Sequence, residues 1–329
     1  MPRVVIADIM RETGLSRATV DRALNARGKV HDRSRALVRE TLQRLTLPQA
    51  PHAAPAADIL LRIGQGLMLQ LHTAWERARP DGKFLDLRRA DEASVLAAID
   101  AHGADLARPL IVTAKNTDAI VARLAEARRA GKRVIAFLSD LSPAARDAFV
   151  GIDNRAAGQT AAFLIGRALG DRPSSVGVVV GNAAFRGHED REIGFRTALR
   201  AHFPKIALAG EAFGEDDSDL TREAVARLLR EQPRLGAIYN VGGGNRGLVE
   251  ALQAAGRGDD LLVVAHETNA VTTPLLRDKS IAYALASDPA VLLAAALRVA
   301  ADASASAECL DFGVYTRFNL PAFAGSGGG

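Results

Sequence analysis

The chain has 329 residues, with 42 Lys/Arg against 38 Asp/Glu, a formal charge of +4 and a single cysteine. One cysteine excludes an internal disulfide and a cysteine-built zinc cluster. Although 48% of the residues are apolar, no uninterrupted run is long enough for a membrane-spanning helix. The charge is local: residues 1–50 hold ten Lys/Arg and five Asp/Glu, a balance of +5, which leaves −1 for the other 279. A basic head on a near-neutral body is the electrostatic footprint expected of a nucleic-acid-binding segment. The start, MPRVVIADIMRET, lacks a basic region followed by an apolar core and cleavage site, so export is not expected and a cytoplasmic, nucleoid-associated setting is.

The first predicted elements lie in Val4–Asn25, VVIADIMRETGLSRATVDRALN. A helix from about Ile6 to Thr13 puts Ile6, Ile9 and Met10 on one face. Gly14 supplies the positive φ of a helix end, and Leu15 packs beneath the turn. Ser16 caps a second helix whose Val20 and Leu24 face inward, leaving Arg17, Ala18, Asp21, Arg22 and Asn25 outward. A third helix runs from Arg33 or Ser34 to about Leu45, with Leu37, Val38, Leu42 and Leu45 at helical spacing. Helix, glycine turn and capped basic helix form the helix-turn-helix arrangement.

The run G-L-S-R-A-T-V-D-R-A-L-N, followed by Val30 and Ser34-Arg35, resembles the headpiece of the lactose-repressor family of bacterial regulators. Asp21 departs from it, standing where the family usually has serine. The resemblance implies that Arg17, Ala18, Thr19, Arg22 and Asn25 meet DNA. Ala18 could read only a thymine methyl or shape, Arg22 a base or a phosphate, and Thr19 serves packing or a phosphate. It also implies a homodimer on a palindromic operator.

Residues 47–57 read as a Pro/Ala-rich linker. Pro48, Pro51 and Pro55 oppose the short hinge helix that relatives place here.

From Asp58 the pattern alternates. Strands are predicted at 59–63, 83–87, 110–113, 134–137 and 149–152, with helices at 68–79, 92–102, 117–130 and 143–147 between them. A second series follows: helix 155–169, strands 175–180, 206–213, 237–241, 261–266 and 282–286, and helices 191–202, 219–231, 246–255, 270–278 and 289–303. Repeated βαβ units predict parallel sheets with helices on both faces. The expected fold class is therefore an all-α three-helix headpiece (1–46) plus an α/β core (58–329) of two doubly wound parallel-sheet subdomains. V-G-I-D-N-R-A-A-G, R-G-H-E-D-R-E-I-G-F-R, A-I-Y-N-V-G-G-G-N-R-G and V-V-A-H-E-T resemble the sugar-binding-protein-like cores of such regulators, the periplasmic-binding-protein type I fold. That resemblance divides the core into 58–154 with 287–311, and 155–286 with 312–323. A flexible tail follows at 324–329.

Strand ends are where such a fold binds ligand. Asp140, Asp153, Arg191, Asn240, His266, Glu267 and Asp288 are the candidates, a set of carboxylates, amide and guanidinium suited to a sugar or polyol. No aromatic platform follows the first core strand; Phe185 or Trp75 could compensate, though Trp75 reads as core. The turn Gly242–Gly247 fits G-x-G-x-x-G between a strand and a helix, with Glu267 downstream, and carries the alternative of a nucleotide-cofactor-dependent enzyme. It stands late in the chain rather than on a first βα turn. No phosphate loop of the G-x-x-x-x-G-K-[ST] type, H-E-x-x-H or G-x-S-x-G is present. The expectation is a non-enzymatic, ligand-responsive DNA-binding regulator, acting as a repressor, with no cofactor and no metal.

Overall fold

The computed structural model describes residues 6–24, 30–46, 56–171 and 173–325. The chain divides into two compact units, 1–53 and 54–329.

The first unit holds α1 (Ile6–Thr13), α2 (Arg17–Leu24) and α3 (Asp32–Thr46). Gly14 ends α1 at φ +67°, and its N–H donates to Met10 O at 2.9 Å. Ser16 Oγ caps α2 by accepting from Thr19 N at 3.3 Å. Among the described residues each helix gives one buried apolar residue, Ile9, Val20 and Val38, with Ile6, Met10, Leu15, Leu24 and Leu42 packed around them. Arg17, Ala18 and Arg22 lie at or near the surface. Arg22 Nε donates back to Ala18 O at 2.9 Å, and the Thr19 and Ser16 hydroxyls lie 2.9 Å apart. Asn25, residues 47–55 of the expected linker and residues 326–329 of the expected tail lie outside the described residues.

The second unit starts with β1 (Asp58–Leu61), α4 (Gln65–Ala78), β2 (Phe84–Asp86), α5 (Glu92–Gly103), β3 (Leu110–Thr113), α6 (Asp118–Arg129), β4 (Val134–Phe137) and β5 (Ala148–Ile152). It continues through α7 (Asn154–Leu169), β6 (Ser174–Val180), α8 (Arg186–His202), β7 (Ile206–Phe213), α9 (Ser218–Glu231), β8 (Ala237–Asn240), α10 (Asn245–Ala254), β9 (Leu262–His266), α11 (Thr272–Arg277) and β10 (Tyr283–Ala286). Then come α12 (Pro289–Ala301), β11 (Ala307–Leu310) and β12 (Gly313–Tyr315).

Two six-stranded sheets result, ordered β2-β1-β3-β4-β5-β11 and β7-β6-β8-β9-β10-β12. Every pairing is parallel except that of β10 with β12. The chain therefore passes between the sheets three times: after β5, after β10 and after β11. Ser287 Oγ donates to Asp311 O at 2.7 Å and stitches two of these passages together.

Both sheets are buried on both faces, which is why strands such as LIVT and VIAF are apolar nearly throughout. Alternate residues serve opposite layers. In the first sheet, Ile59, Leu61, Ile111 and Ile135 meet Met68, Leu71 and Trp75 of α4 and Leu292 and Ala296 of α12. Leu60, Leu110, Val112 and Val134 meet Val95 and Ile99 of α5 and Ile120 and Leu124 of α6. The second sheet packs α7 and α8 on one face and α9 and α10 on the other.

Three local differences from the sequence reading have physical causes. Residues 143–145 form a single 3-10 turn rather than a helix to 147. α8 starts at Arg186, five residues before the predicted 191, because its first turn, R-G-H-E-D, is polar and shows no apolar period. β11, AECL, is an addition to the predicted strands; it is a half-exposed edge strand without an apolar run.

Candidate functional site: the cleft between the two sheets

Parallel strands bring their carboxyl ends to one edge of a sheet, and the turns that follow are free to carry function. Here both such edges border one cavity, the kind of concave strand-end site in which small molecules bind. The first sheet contributes Arg62 and Ile63 after β1, Thr113 of β3, Leu138 and Ser139 after β4, and Ile152 of β5. The second contributes Asp216 after β7, Gly242 and Gly243 after β8, His266, Glu267 and Thr268 at β9, and Leu285 to Ser287 at β10. Phe185, His188 and Arg191 come from the start of α8. Arg62, Phe185, Asp216 and Glu267 also line an outer mouth with Lys115, Asn182 and Glu215.

Contacts across the cleft describe a closed arrangement. Asn116 N donates to Ala184 O at 2.7 Å, and Gly187 N to Ser139 Oγ at 3.0 Å. Lys115 Nζ lies 3.6 Å from Glu215 Oε2 at the mouth. The buried Gln70 of α4 donates from Nε2 to Thr268 O at 2.9 Å, and to Phe323 O of the C-terminal segment at 2.9 Å.

Arg191 is held from behind. Its Nε donates to Asn154 Oδ1 at 2.8 Å and its Nη1 to Val241 O at 2.9 Å. α7 and α8 cross so closely that a Cβ on Gly158 would sit 1.9 Å from Arg191 O, and one on Gly194 2.2 Å from Arg155 O. No carboxylate among the described residues forms an ion pair with Arg191. Burial lowers its pKa, opposed by electrostatic attraction to Tyr239, Glu267 and Asp216.

His266 is 2% exposed, and its Nε2 lies 2.8 Å from the Tyr239 hydroxyl. Burial, then the positive charge of Arg191, pushes the imidazole well below its usual range, so it is neutral. Four buried side-chain polar atoms lack a hydrogen-bond partner among the described residues, and two of them, His266 Nδ1 and Thr268 Oγ1, belong to the cavity wall. Unpaired buried polar atoms are rare and costly. Burial raises the Glu267 carboxyl to about 7, against the opposing pull of Arg191 and of the Asn269 hydrogen bond. Among the described residues, four of the six non-glycine positions with positive φ, Leu138, Glu215, Asp216 and Glu267, border this cleft, a concentration of backbone strain that marks functional sites.

Of the sequence-derived candidates, the cavity gathers Arg191, His266 and Glu267. The other four lie away from its wall. Asp140 pairs with Arg146 (Oδ2 to Nη2 2.8 Å). Asp153 caps α7 through Ala156 N at 2.9 Å, and Asp288 caps α12 through Ala290 N at 2.8 Å. Asn240, fully buried, donates to Gly243 O at 2.9 Å and Asn245 Oδ1 at 2.8 Å, bracing the glycine turn from beneath. Phe185 does line the cavity, whereas Trp75 is core. Arg62, Asn154, Asp216 and Thr268 are the residues that sequence reasoning misses. Asn154 follows Asp153 directly, and the strand-end rule that selects Glu267 applies equally to Arg62 and Thr268.

The Gly242–Gly247 turn does not present a phosphate cradle. The Gly243 N–H, which a pyrophosphate would need, already donates to Asp216 Oδ1 at 2.7 Å. A Cβ on Gly247 would meet Ser218 O at 1.7 Å, so this glycine serves the close packing of α10 on the start of α9. Among the described residues no cluster of three or more His, Cys, Asp or Glu could hold a metal ion, and no helix is long and apolar enough to cross a membrane.

Two parallel α/β subdomains joined by three crossovers around a strand-end cleft define the periplasmic-binding-protein type I class. The sequence matches the Periplasmic binding protein domain family over residues 73–308, and the chain belongs to that family. A search of curated proteins found no match. Among solved structures it is similar to an ABC transporter solute-binding protein from Burkholderia graminis in complex with D-arabinose (18% identity, TM-score 0.74, covering 83% of this chain and 98% of that one). It is also similar to GanP, a glucose-galactose binding protein from Geobacillus stearothermophilus (17%, TM-score 0.73, 82% and 99%). A third is a periplasmic solute-binding protein from Actinobacillus succinogenes with bound D-allose (17%, TM-score 0.70, 80% and 98%). At these identities the likeness establishes the fold.

These findings correct the sequence reading of function. The run at Gly14–Asn25 points to a DNA-binding transcription regulator, but the family matched is that of periplasmic binding proteins, and the similar solved structures are solute-binding proteins described with sugars. The operator-DNA partner and the repressor role fall with that reading. The expected cytoplasmic setting is corrected likewise: the family is that of periplasmic binding proteins, and the Actinobacillus succinogenes neighbour is a periplasmic solute-binding protein.

Proposed function

We propose that residues 58–329 form a receptor for a small polyhydroxylated ligand of the sugar class, bound without chemical change between the two subdomains. One subdomain is taken as 58–154 with 287–311 and the other as 155–286 with 312–323; the predicted tail starts later than residue 324, since Ala324 is buried within the 3-10 turn Ala322–Gly325. The reading is carried by one observation: the cavity wall holds a guanidinium with no ion-pair partner among the described residues, beside two buried polar atoms, His266 Nδ1 and Thr268 Oγ1, that lack any hydrogen bond there. Hydroxyl groups both donate and accept, and would satisfy all three. The sugars bound by the similar solved structures support the class. In this reading Arg191, His266, Glu267, Asp216 and Thr268 contact the ligand. Asn154, Asn240 and Tyr239 position them, and Asp140, Asp153 and Asp288 serve structure.

Isothermal titration of the intact chain with pentoses, hexoses, polyols and sugar acids tests this. Saturable binding to one class, lost in Arg191→Ala, is the expected result. Binding undiminished in that variant would place the ligand elsewhere.

A further inference from the structure

The polar atoms left free in the cavity are unequal in kind. An arginine carries five N–H donors and no acceptor. Arg191 spends one N–H on Asn154 and one on Val241. Arg62, half-buried on the opposite wall, binds through its backbone N–H to Thr113 O at 2.9 Å, and its guanidinium has no hydrogen bond or ion pair among the described residues.

His266 adds a further donor. Tyr239 is fully buried and its hydroxyl has a single hydrogen-bonding neighbour among the described residues, His266 Nε2. If Nε2 carried the hydrogen, the Tyr239 hydroxyl proton would have no acceptor. The hydroxyl therefore donates, Nε2 accepts, and the unpartnered Nδ1 carries N–H.

Against these donors stand two carboxyl groups, each with one oxygen already engaged. Asp216 Oδ1 accepts from Gly243 N at 2.7 Å, and Glu267 Oε2 from Asn269 Nδ2 at 2.9 Å. His188, the other ionisable group on the wall, has Nδ1 3.2 Å from Asn182 N and 4.0 Å from Asp216 Oδ2. Free donors thus outnumber free acceptors. A neutral sugar offers a donor with every hydroxyl acceptor, whereas a carboxylate offers acceptors alone.

We infer that the ligand is a sugar acid: a polyhydroxylated monoanion whose carboxylate is received by Arg62, Arg191 and the His266 Nδ1–H, with its hydroxyls turned to Asp216, Glu267 and Thr268. This rests on the reading of the cleft as a sugar site. A phosphate ester, with close to two negative charges, fits less well because Asp216 shares the cavity.

The test is calorimetric titration of the full chain near pH 6.5 with D-galacturonate, D-glucuronate and D-gluconate. The neutral counterparts D-galactose and D-glucose, and D-glucose 6-phosphate, are run beside them. The expected result is at least one acid binding about tenfold or more tighter than its neutral counterpart, a ratio of the size set by one charge-assisted hydrogen-bonded pair. Arg62→Gln removes a guanidinium with no protein partner among the described residues, so the melting temperature should hold while the acid-to-neutral ratio falls towards one. A neutral sugar binding as tightly as its acid overturns the inference and leaves the sugar site standing. Tighter binding of the phosphate ester overturns it in the same way, as does an Arg62→Gln variant that weakens both ligands equally. No binding by any of them overturns both the inference and the sugar-site reading.

Discussion

The Tyr239 hydroxyl lies 2.8 Å from His266 Nε2, and this contact decides which nitrogen of the imidazole faces the cleft as a donor. Tyr239 is held in place by stacking on Phe195, centroid to centroid 4.6 Å. Burial raises its hydroxyl pKa, so it remains a donor at every physiological pH. Tyr239→Phe keeps the stack and removes the bond. Leaving Nε2 buried and unpaired should lower unfolding stability by about 1–3 kcal/mol and weaken ligand binding. Urea unfolding and titration of the same variant check the two effects together.

Gly158 sets the position of Arg191 through the backbone. A Cβ there would lie 1.9 Å from Arg191 O and 2.9 Å from Phe195 N, both main-chain atoms that cannot swing away. Gly158→Ala must push α8 off α7, at a cost of about 1–3 kcal/mol, and displace the guanidinium from Asn154. The expected outcome is a lower melting temperature with loss of ligand binding. At Gly170 an added Cβ would meet nothing within 4 Å, but φ is +67°. Gly170→Ala should therefore cost stability alone, with binding unchanged.

Gly66 and Asn269 meet across the closed cleft. A Cβ on Gly66 would fall 2.3 Å from the Asn269 side chain. That side chain is pinned: its Oδ1 accepts from Val271 N at 2.9 Å and its Nδ2 donates to Glu267 at 2.9 Å. Gly66→Val should therefore fold but close incompletely. Small-angle scattering with ligand present should show a larger radius of gyration than the natural chain, and affinity should fall about tenfold or more.

Glu267 gives stability a pH dependence of known sign. Burial raises its carboxyl from 4.5 to about 7, so the folded protein retains a proton that the unfolded chain releases. The stability it contributes is complete below the unfolded value and is lost as pH rises through about 7. His266 works in the opposite sense. Burial and Arg191 depress it, so its contribution is present above the ordinary histidine range and lost as pH falls. Comparison with Glu267→Gln separates the two. The melting temperature of the natural chain relative to that variant should fall between about pH 5 and about pH 8.

The core is legible because parallel strands buried on both faces advertise themselves. LIVT and VIAF recur at βαβ spacing, and stacked βαβ units bury such strands on both sides. β11 is not legible, since an edge strand such as AECL has no apolar run to show. At the site, following the strand ends finds Arg191, His266 and Glu267. It does not find Asp216, which reaches the cleft only because Glu215 and Asp216 take φ of 50° and 60° in succession. Asp153 and Asp288 carry a signal of their own: an Asp immediately before a helix, in the second case followed by Pro289, is an N-cap. The regulator reading rests on the helix-turn-helix run, a local charge balance and core segments likened to such regulators, and those core segments are equally at home in a solute-binding protein of the same fold. The family match over residues 73–308 overturns it.

The most direct measurement is calorimetric titration of the intact chain and of Arg191→Ala with sugars and sugar acids, each checked for an unchanged fold by circular dichroism. The account predicts one saturable site in the natural chain, with affinity in Arg191→Ala reduced by about a hundredfold or more, as loss of a buried charge-assisted contact implies. Equal affinity in the two proteins, or no binding in either, would contradict it.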